Sequence, residues 1–173
     1  MKKSLLLVMI GAFMALPANA AFLVEPYLGM HFNSEAEDID ADITGMGIGA
    51  RLGYQNLGLM FGLNYKSADL EFERDNASNF DVDQTHYGLF VGYEFPILVR
   101  AWAEYIIGGE ADIDGGATWD SISGTQIGVG YTGLPFVSLN LEIGNLTYED
   151  GPTGTSDQDI STYMLSISLP LTL

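Results

Sequence analysis

The segment Thr44–Tyr54, TGMGIGARLGY, alternates strictly between two kinds of residue. One set of alternate positions holds Met46, Ile48, Ala50, Leu52 and Tyr54, and the other holds four glycines and Arg51. A period of two is typical of a β-strand, whose successive side chains point to opposite faces. A phosphate-binding glycine loop is excluded, because such a loop opens a helix and no helical periodicity follows Tyr54. The segment therefore predicts a strand with one apolar face and one face of very small side chains.

The same alternation recurs along the rest of the chain. It is found in residues 24–32, 57–66, 85–95, 97–106, 123–131, 136–144 and 161–173. Short turns, at Gln55-Asn56, at Pro96 and at 132–135, alternate with long polar gaps at 33–44, 67–83, 108–121 and 145–159. Strands of about ten residues with alternating short and long connections are typical of membrane barrels. We predict an all-β fold, an eight-stranded antiparallel up-and-down transmembrane β-barrel, whose closure pairs every backbone group as a bilayer requires.

The distribution of charge supports an apolar exterior. The chain has 23 acidic and 6 basic side chains, and 19 of the acids lie in the four long gaps. Every other acid and three of the bases fall on the strand face opposite the apolar one: Glu25, Glu94, Glu104, Glu142, Arg51, Lys66 and Arg100. A basic side chain facing the middle of a bilayer costs about 2–4 kcal/mol, so this pattern favours a membrane barrel over a soluble one. The formal net charge of −17 also excludes general binding of nucleic acid.

The N-terminus predicts export. Residues 1–20, MKKSLLLVMIGAFMALPANA, combine a basic start, a short apolar core and a small-residue cleavage site that ends at Ala20. The apolar core is shorter than the roughly 20 residues of a membrane-spanning helix, so we interpret it as a cleaved signal peptide. Residues 21–173 are then predicted to form one barrel domain, which contains no cysteine for a disulfide.

The inward charges are expected to form a network that closes the lumen. Arg51 and Glu25 are predicted at similar depth, and Arg100 is predicted as the central cation, beside Glu94 and below Glu104. Lys66 and Glu142 complete the network, and Met60, Phe90 and Trp102 point inward and occupy volume. The interior of eight strands is just wide enough for side chains to fill. We therefore expect a plugged polar lumen; the alternative is a small pore for ions or small solutes.

The chain resembles the small eight-stranded outer-membrane barrels, namely the transmembrane domain of outer-membrane protein A and the OmpX/Ail group. The resemblance covers residues 22–173 and rests on the strand pattern and on outward aromatic residues near the long gaps, namely Tyr65, Tyr87, Tyr105 and Tyr163. It implies a protein of the bacterial outer membrane, with long loops on the cell surface, contact with membrane lipids and lipopolysaccharide, and insertion by the barrel-assembly machinery. The uninterrupted apolar belt of the strands favours a monomer. Members of the group usually end on an aromatic residue, whereas this chain ends on Leu173. A structural or surface-interaction role, with acidic extracellular loops, is the function that we predict.

Catalysis is a less favoured alternative. The only histidines are His31 and His86, and Ser34 and Ser67 are the serines nearest to them. Some barrels of this size modify lipid A, and such an enzyme needs a serine and a carboxylate within reach of a histidine. A His-x-Ser pattern facing the bilayer is missing here, because Tyr87 and Gly88 follow His86. We expect no enzyme activity and no cofactor.

Two acidic stretches are weak candidates for a divalent cation. They hold carboxylates at alternate positions: Asp38, Asp40 and Asp42 in one, and Asp112 and Asp114 in the other. Such carboxylates can wrap Ca²⁺, but neither stretch matches a full twelve-residue calcium loop. We therefore expect solvated acidic loops, with weak bridging of divalent cations to anionic lipopolysaccharide as the alternative.

Overall fold

The computed structural model describes residues 21–36, 41–74, 78–113, 116–151 and 157–173. The strands are β1 (Ala21–Ala36), β2 (Ala41–Asn56), β3 (Leu59–Arg74), β4 (Phe80–Phe95), β5 (Val99–Ile113), β6 (Ala117–Trp119), β7 (Ser121–Tyr131), β8 (Ser138–Glu149), β9 (Gln158–Ser168) and β10 (Leu171–Thr172). The predicted signal peptide, residues 1–20, lies outside the described residues. No helix of sufficient length and apolar character to cross a membrane occurs in the described ranges.

The strands close into a barrel of eight walls. Each wall is one strand or two successive strand segments. Neighbouring walls follow chain order and pair antiparallel. β6 and β7 both pair with β5 and form one wall that is interrupted at Asp120. β9 and β10 both pair with β1 and close the ring. The predicted eight-stranded antiparallel up-and-down barrel is confirmed.

The closing seam holds although a proline lies in each of its partners. Tyr27 to His31 of β1 pair with Ser168 to Met164 of β9. Beyond them the Leu169 amide donates to the carbonyl of Pro26 at 3.0 Å, and Leu173 and Phe22 exchange two backbone hydrogen bonds. Pro170 is accommodated because it falls in the break between β9 and β10.

The alternation of Thr44–Tyr54 has the predicted consequence for β2. Ile48 is 61% exposed on the outer face, whereas Arg51, on the opposite parity, is 2% exposed. The other outward apolar residues of the segment, Met46 and Leu52, are also exposed. The glycine-rich face therefore lines the interior.

The strands are longer than the predicted ten residues, and the long gaps are correspondingly shorter. β3, for example, runs to Arg74 and includes much of the gap predicted at 67–83. Within it Ala68, Leu70 and Phe72 are each 3% exposed and face inward, while the alternating acids face outward. For Asp69, Glu71 and Glu73 the expectation of a loop is wrong, because β3 continues through them with an apolar interior and an acidic exterior.

Two turn assignments also change. The first short turn lies at Leu57 and Gly58, not at Gln55-Asn56, and both residues have positive φ, 49° and 85°. Positive φ at both central residues is characteristic of the type I′ turn, which matches the twist of a hairpin. Phe136, predicted on an inward strand face, lies in the third short turn with φ of 68° and is 86% exposed. Leu57, which is 91% exposed, and Ile97 lie at the other two short turns, so the tips at this end are apolar.

Candidate functional site: the barrel interior

The interior is divided into two layers. The layer nearer the short turns is an interior charge cluster, defined by Glu25, Arg51, Lys66, Arg100, Glu104 and Glu142, each at most 3% exposed. The layer nearer the long connections is an upper apolar core that includes Ile43, Leu70, Phe72, Ile106, Ile122, Leu146 and Ile160. The sequence predicted the first layer and missed the second.

Arg51 joins two carboxylates on different walls. Its Nη1 lies 3.2 Å from Oε1 of Glu25, which is directly opposite in the β1–β2 register. Its Nη2 lies 2.5 Å from Oε1 of Glu142 on β8. Lys66 Nζ lies 3.4 Å from the second oxygen of Glu142 and 3.1 Å from the Gln126 side-chain oxygen. Both carboxylates are therefore paired in a site that is nearly inaccessible to water, where an unpaired charge is costly.

Arg100 reaches across the lumen to a different partner from the one predicted. Its Nη1 donates to Oε2 of Glu25 at 2.8 Å, and its Nη2 contacts the other oxygen of the same carboxylate. Nη2 also donates to Asn140 at 2.8 Å and to Ser168 at 3.0 Å. The fork geometry of a guanidinium suits this two-point contact with a carboxylate.

The predicted pairing of Arg100 with Glu94 and Glu104 is wrong. No ion pair joins Arg100 to either carboxylate within the described part of the chain. Glu94 is the register neighbour of Arg100, but it accepts a hydrogen bond from Gln55 at 2.7 Å. The long Arg100 side chain instead extends from β5 to β1, on the opposite wall.

Glu104 is held by an amide and forms no ion pair with a base among the described residues. Asn64 Nδ2 donates to its two oxygens at 3.0 and 2.8 Å, and the Tyr27 hydroxyl donates to the Asn64 oxygen at 3.0 Å. Sequence reasoning missed the neutral members of the network: Tyr27, Asn64, Gln126, Asn140, Ser166 and Ser168. All of them lie on the inward parity of their strands, so a period-two analysis extended to neutral polar residues could have found them.

The predicted plug residues lie in the interior. Trp102 stacks against two guanidinium groups, 4.3 Å from Arg51 and 5.2 Å from Arg100, measured from the guanidinium carbon to the ring centroid. Such contacts add about 0.5–2 kcal/mol each, more where water is excluded. Met60 and Phe90 pack with Trp102 and Leu23 in a small apolar cluster, and each of the four is at most 5% exposed.

Inward glycines provide the space for these large side chains. A Cβ placed on Gly128 would overlap the ring atoms Cε2 and Cζ2 of Trp102, its neighbour across the β5–β7 pair. A Cβ on Gly130 would lie 2.5 Å from the Asn140 oxygen and 2.7 Å from Nε of Arg100. The glycine-rich inner face is therefore complementary in shape to the aromatic ring and the guanidinium.

We expect Gly128→Ala to lower the free energy of unfolding by about 1–3 kcal/mol, the usual range for overpacking. The added methyl group would displace Trp102 from its position between the two arginines. Gly47→Ala is the matched control, since its Cβ meets nothing closer than 3.4 Å. Urea unfolding of the refolded proteins in lipid vesicles measures both variants. Equal stability of the two would contradict the steric role of Gly128.

The two histidines are buried in the interior, and His86 lies opposite Lys66 of the charge cluster in the β3–β4 register. His86 Nδ1 lies 2.8 Å from the Gln84 side-chain nitrogen, and both are buried. Both ring nitrogens of His31 lack a hydrogen-bond partner in the described structure. Ser34 Oγ instead accepts the Tyr163 amide at 2.9 Å. No hydrogen bond between a serine and a histidine is found among the described residues.

Only some of the candidate cation ligands belong to the described residues. Asp38, Asp40 and Asp114 lie outside the described residues. Asp42 is exposed on β2, opposite Glu35 and Glu73, and Asp112 is exposed on β5 and accepts a hydrogen bond from Thr118 at 2.6 Å. Within the described ranges no group of three or more histidines or carboxylates is arranged to hold a metal ion.

Comparison with known proteins identifies the fold. The sequence matches no protein-family profile and no curated protein. The structure is similar to the crystal structure of Neisserial surface protein A, with 17% identity over 87% of this chain and 98% of the other and a TM-score of 0.59. It is also similar to Ail of Yersinia pestis, with 12% identity, coverage of 88% and 98% and a TM-score of 0.47, and to OprG of Pseudomonas aeruginosa, with 9%, 89%, 97% and 0.47. The predicted resemblance to small eight-stranded outer-membrane barrels is confirmed at the level of fold.

Proposed function

We propose that this chain is an integral barrel of the bacterial outer membrane, with a closed lumen and a structural or surface-interaction role. The single observation that supports the closed lumen best is the interior charge cluster, whose members pair or hydrogen-bond across the barrel while at most 3% exposed.

The outer surface supports placement in a membrane. A band of exposed apolar residues surrounds the barrel, with Leu63, Val91, Ile127 and Leu165 each at least half exposed. Above this band the outward residues become acidic, from Asp69 on β3 to Asp83 on β4. Because membrane barrels carry their longer loops on the cell surface, we place the acidic end outside the cell and the apolar turn tips toward the periplasm. Membrane lipids, lipopolysaccharide and, during insertion, the barrel-assembly machinery are the proposed partners of a monomer.

The closed lumen is testable by conductance. We expect the refolded barrel in a planar lipid bilayer to carry no steady current. The charge cluster and the upper apolar core block the lumen in series, so Arg100→Ala, which alters only the lower layer, should also remain closed. A steady, water-filled conductance of the wild-type protein would instead support the alternative function, a small pore for ions or small solutes.

The proposal includes the absence of enzyme activity. Its support is the position of His31 and His86, both buried inside the barrel, away from the outer surface that lipid headgroups would contact. Mass spectrometry of lipid A from cells that express the protein tests this part of the proposal. An altered acyl pattern that disappears in a His86→Ala variant would contradict it.

The acidic end is proposed to face a surface that is itself anionic. Outward carboxylates in neighbouring strands, such as Glu35, Asp42 and Glu73, lie in one row of the wall. Such a field repels lipopolysaccharide unless cations intervene. Calorimetric titration with Ca²⁺ tests whether divalent cations bridge the two, and the absence of any heat at millimolar concentration would remove that part of the proposal.

A further inference from the structure

A cup opens at the acidic end of the barrel, above the upper apolar core. It has a volume of about 430 Å³, which lies within the usual range of small-ligand sites. Its wall is mainly apolar and aromatic and includes Phe72, Phe80, Ile113, Trp119, Tyr148 and Ile160. The apolar residues of the wall belong to the strand extensions, and several of them, including Phe72 and Ile160, are also part of the upper apolar core.

Two hydrogen-bond donors in the wall lack partners. Within the described structure, the Tyr148 hydroxyl and the Trp119 indole nitrogen are both buried and neither has a hydrogen-bond partner. The Tyr148 side chain is only 2% exposed, and its ring lies 6.2 Å from that of Trp119, so the two donors occupy one side of the cup. Burial raises the pKa of the Tyr148 hydroxyl, which therefore remains a donor at neutral pH. A buried polar group without a partner costs about 1–3 kcal/mol, which an acceptor supplied by a ligand would recover.

The rim of the cup carries a cation. Arg74 is the only basic residue of the described chain outside the interior charge cluster. Its guanidinium is fixed by donation to the Ser78 carbonyl, at 2.7 Å from Nη2, and by stacking 5.0 Å from the Phe80 ring. The guanidinium of Arg74 supplies a local positive charge that attracts a negatively charged oxygen acceptor, although the surrounding surface is acidic.

We propose that the cup binds a single-chain amphipathic molecule, with its hydrocarbon chain against the apolar wall and a carboxylate-type oxygen head toward Tyr148, Trp119 and Arg74. The hydrocarbon chain of the ligand covers the apolar wall of the cup, and its oxygen head accepts hydrogen bonds from the two unpartnered donors. This site goes beyond the proposed function, and its test measures binding at the cup, not conduction through the lumen.

The probe that tests the site is 2-bromododecanoate, whose bromine lies beside the carboxylate head and quenches tryptophan fluorescence at short range. The chain has two tryptophans, and only Trp119 lines the cup. We expect saturable quenching of the wild-type protein in lipid vesicles and none in Trp119→Phe, which retains the interior Trp102. Excess dodecanoate should reverse the quenching, whereas dodecyltrimethylammonium, which has no acceptor, should not.

Three variants separate the contributions to binding. Ala36→Phe fills the cup from β1 and should abolish saturable quenching. Tyr148→Phe removes one donor and should weaken binding about threefold to tenfold, the equivalent of one hydrogen bond. Tyr65→Phe, on the outer face, is the matched control and should bind as the wild type does.

Heat-modifiable migration on gels verifies that each variant is folded. Non-saturable quenching, or saturable quenching that persists in folded Ala36→Phe, would overturn the site. Equal reversal by dodecanoate and dodecyltrimethylammonium would overturn the role of the oxygen head. Steady conductance of the wild type would contradict the closed lumen and leave the quenching result unaffected, so the two proposals fail separately.

Discussion

Arg51→Met should lower the free energy of unfolding by about 3–5 kcal/mol, the cost of removing one partner from a buried ion pair. Methionine approximates the length of the arginine stem and leaves the charge cluster without the bridge between Glu25 and Glu142. Urea unfolding in lipid vesicles, followed by tryptophan fluorescence, measures the loss.

The matched control is Arg100→Met. Arg100 contacts one carboxylate, Glu25, which would still be paired with Arg51. We therefore expect a smaller loss in the free energy of unfolding than for Arg51→Met, contrary to the prediction from the sequence that Arg100 is the central cation. The double variant Arg51→Met with Glu142→Gln should recover part of the stability, since it removes a carboxylate whose remaining ionic partner among the described residues is Lys66. Equal losses for the two single variants would contradict the central position of Arg51.

Ile127→Arg should destabilise the inserted barrel by about 2–4 kcal/mol, the cost of a basic side chain near the middle of a bilayer. Ile127 is 59% exposed, and its outward neighbours across the wall are Ala103 and Ile143. Unfolding from lipid vesicles gives the free energy, and folding yield into the same vesicles gives an independent measure.

Ser123→Arg on the same strand is the control for Ile127→Arg. Ser123 lies four residues nearer the acidic end, in register with Thr147 and near Asp159, which accepts a hydrogen bond from Thr147 at 2.8 Å. If the apolar band ends below this row, we expect a loss of about 0–1 kcal/mol. Similar losses at both positions would contradict the proposed depth of the barrel in the membrane.

The upper apolar core could have been predicted from the sequence. Asp69, Glu71 and Glu73 alternate with Leu70 and with Phe72 in the same period-two pattern that identified the strands. The acidic composition obscured that pattern, because acidic residues are typical of loops. Outside the membrane, however, an acidic face is the expected exterior of a strand, so period outweighs composition as a signal of structure.

The sequence by itself determined the number of walls and the alternation of inward and outward residues along each of them. It also determined the face on which each charged residue of the predicted strands lies. These follow from chain-local physics: a strand has a period of two, and a bilayer excludes charge from one face. Only the tertiary structure decided which charges meet. Arg100 is beside Glu94 in the register yet pairs with Glu25 on the opposite wall. Partners across a lumen depend on the closure of the ring, the length of the side chain and the space left by glycines such as Gly128, and none of these is a property of a single strand.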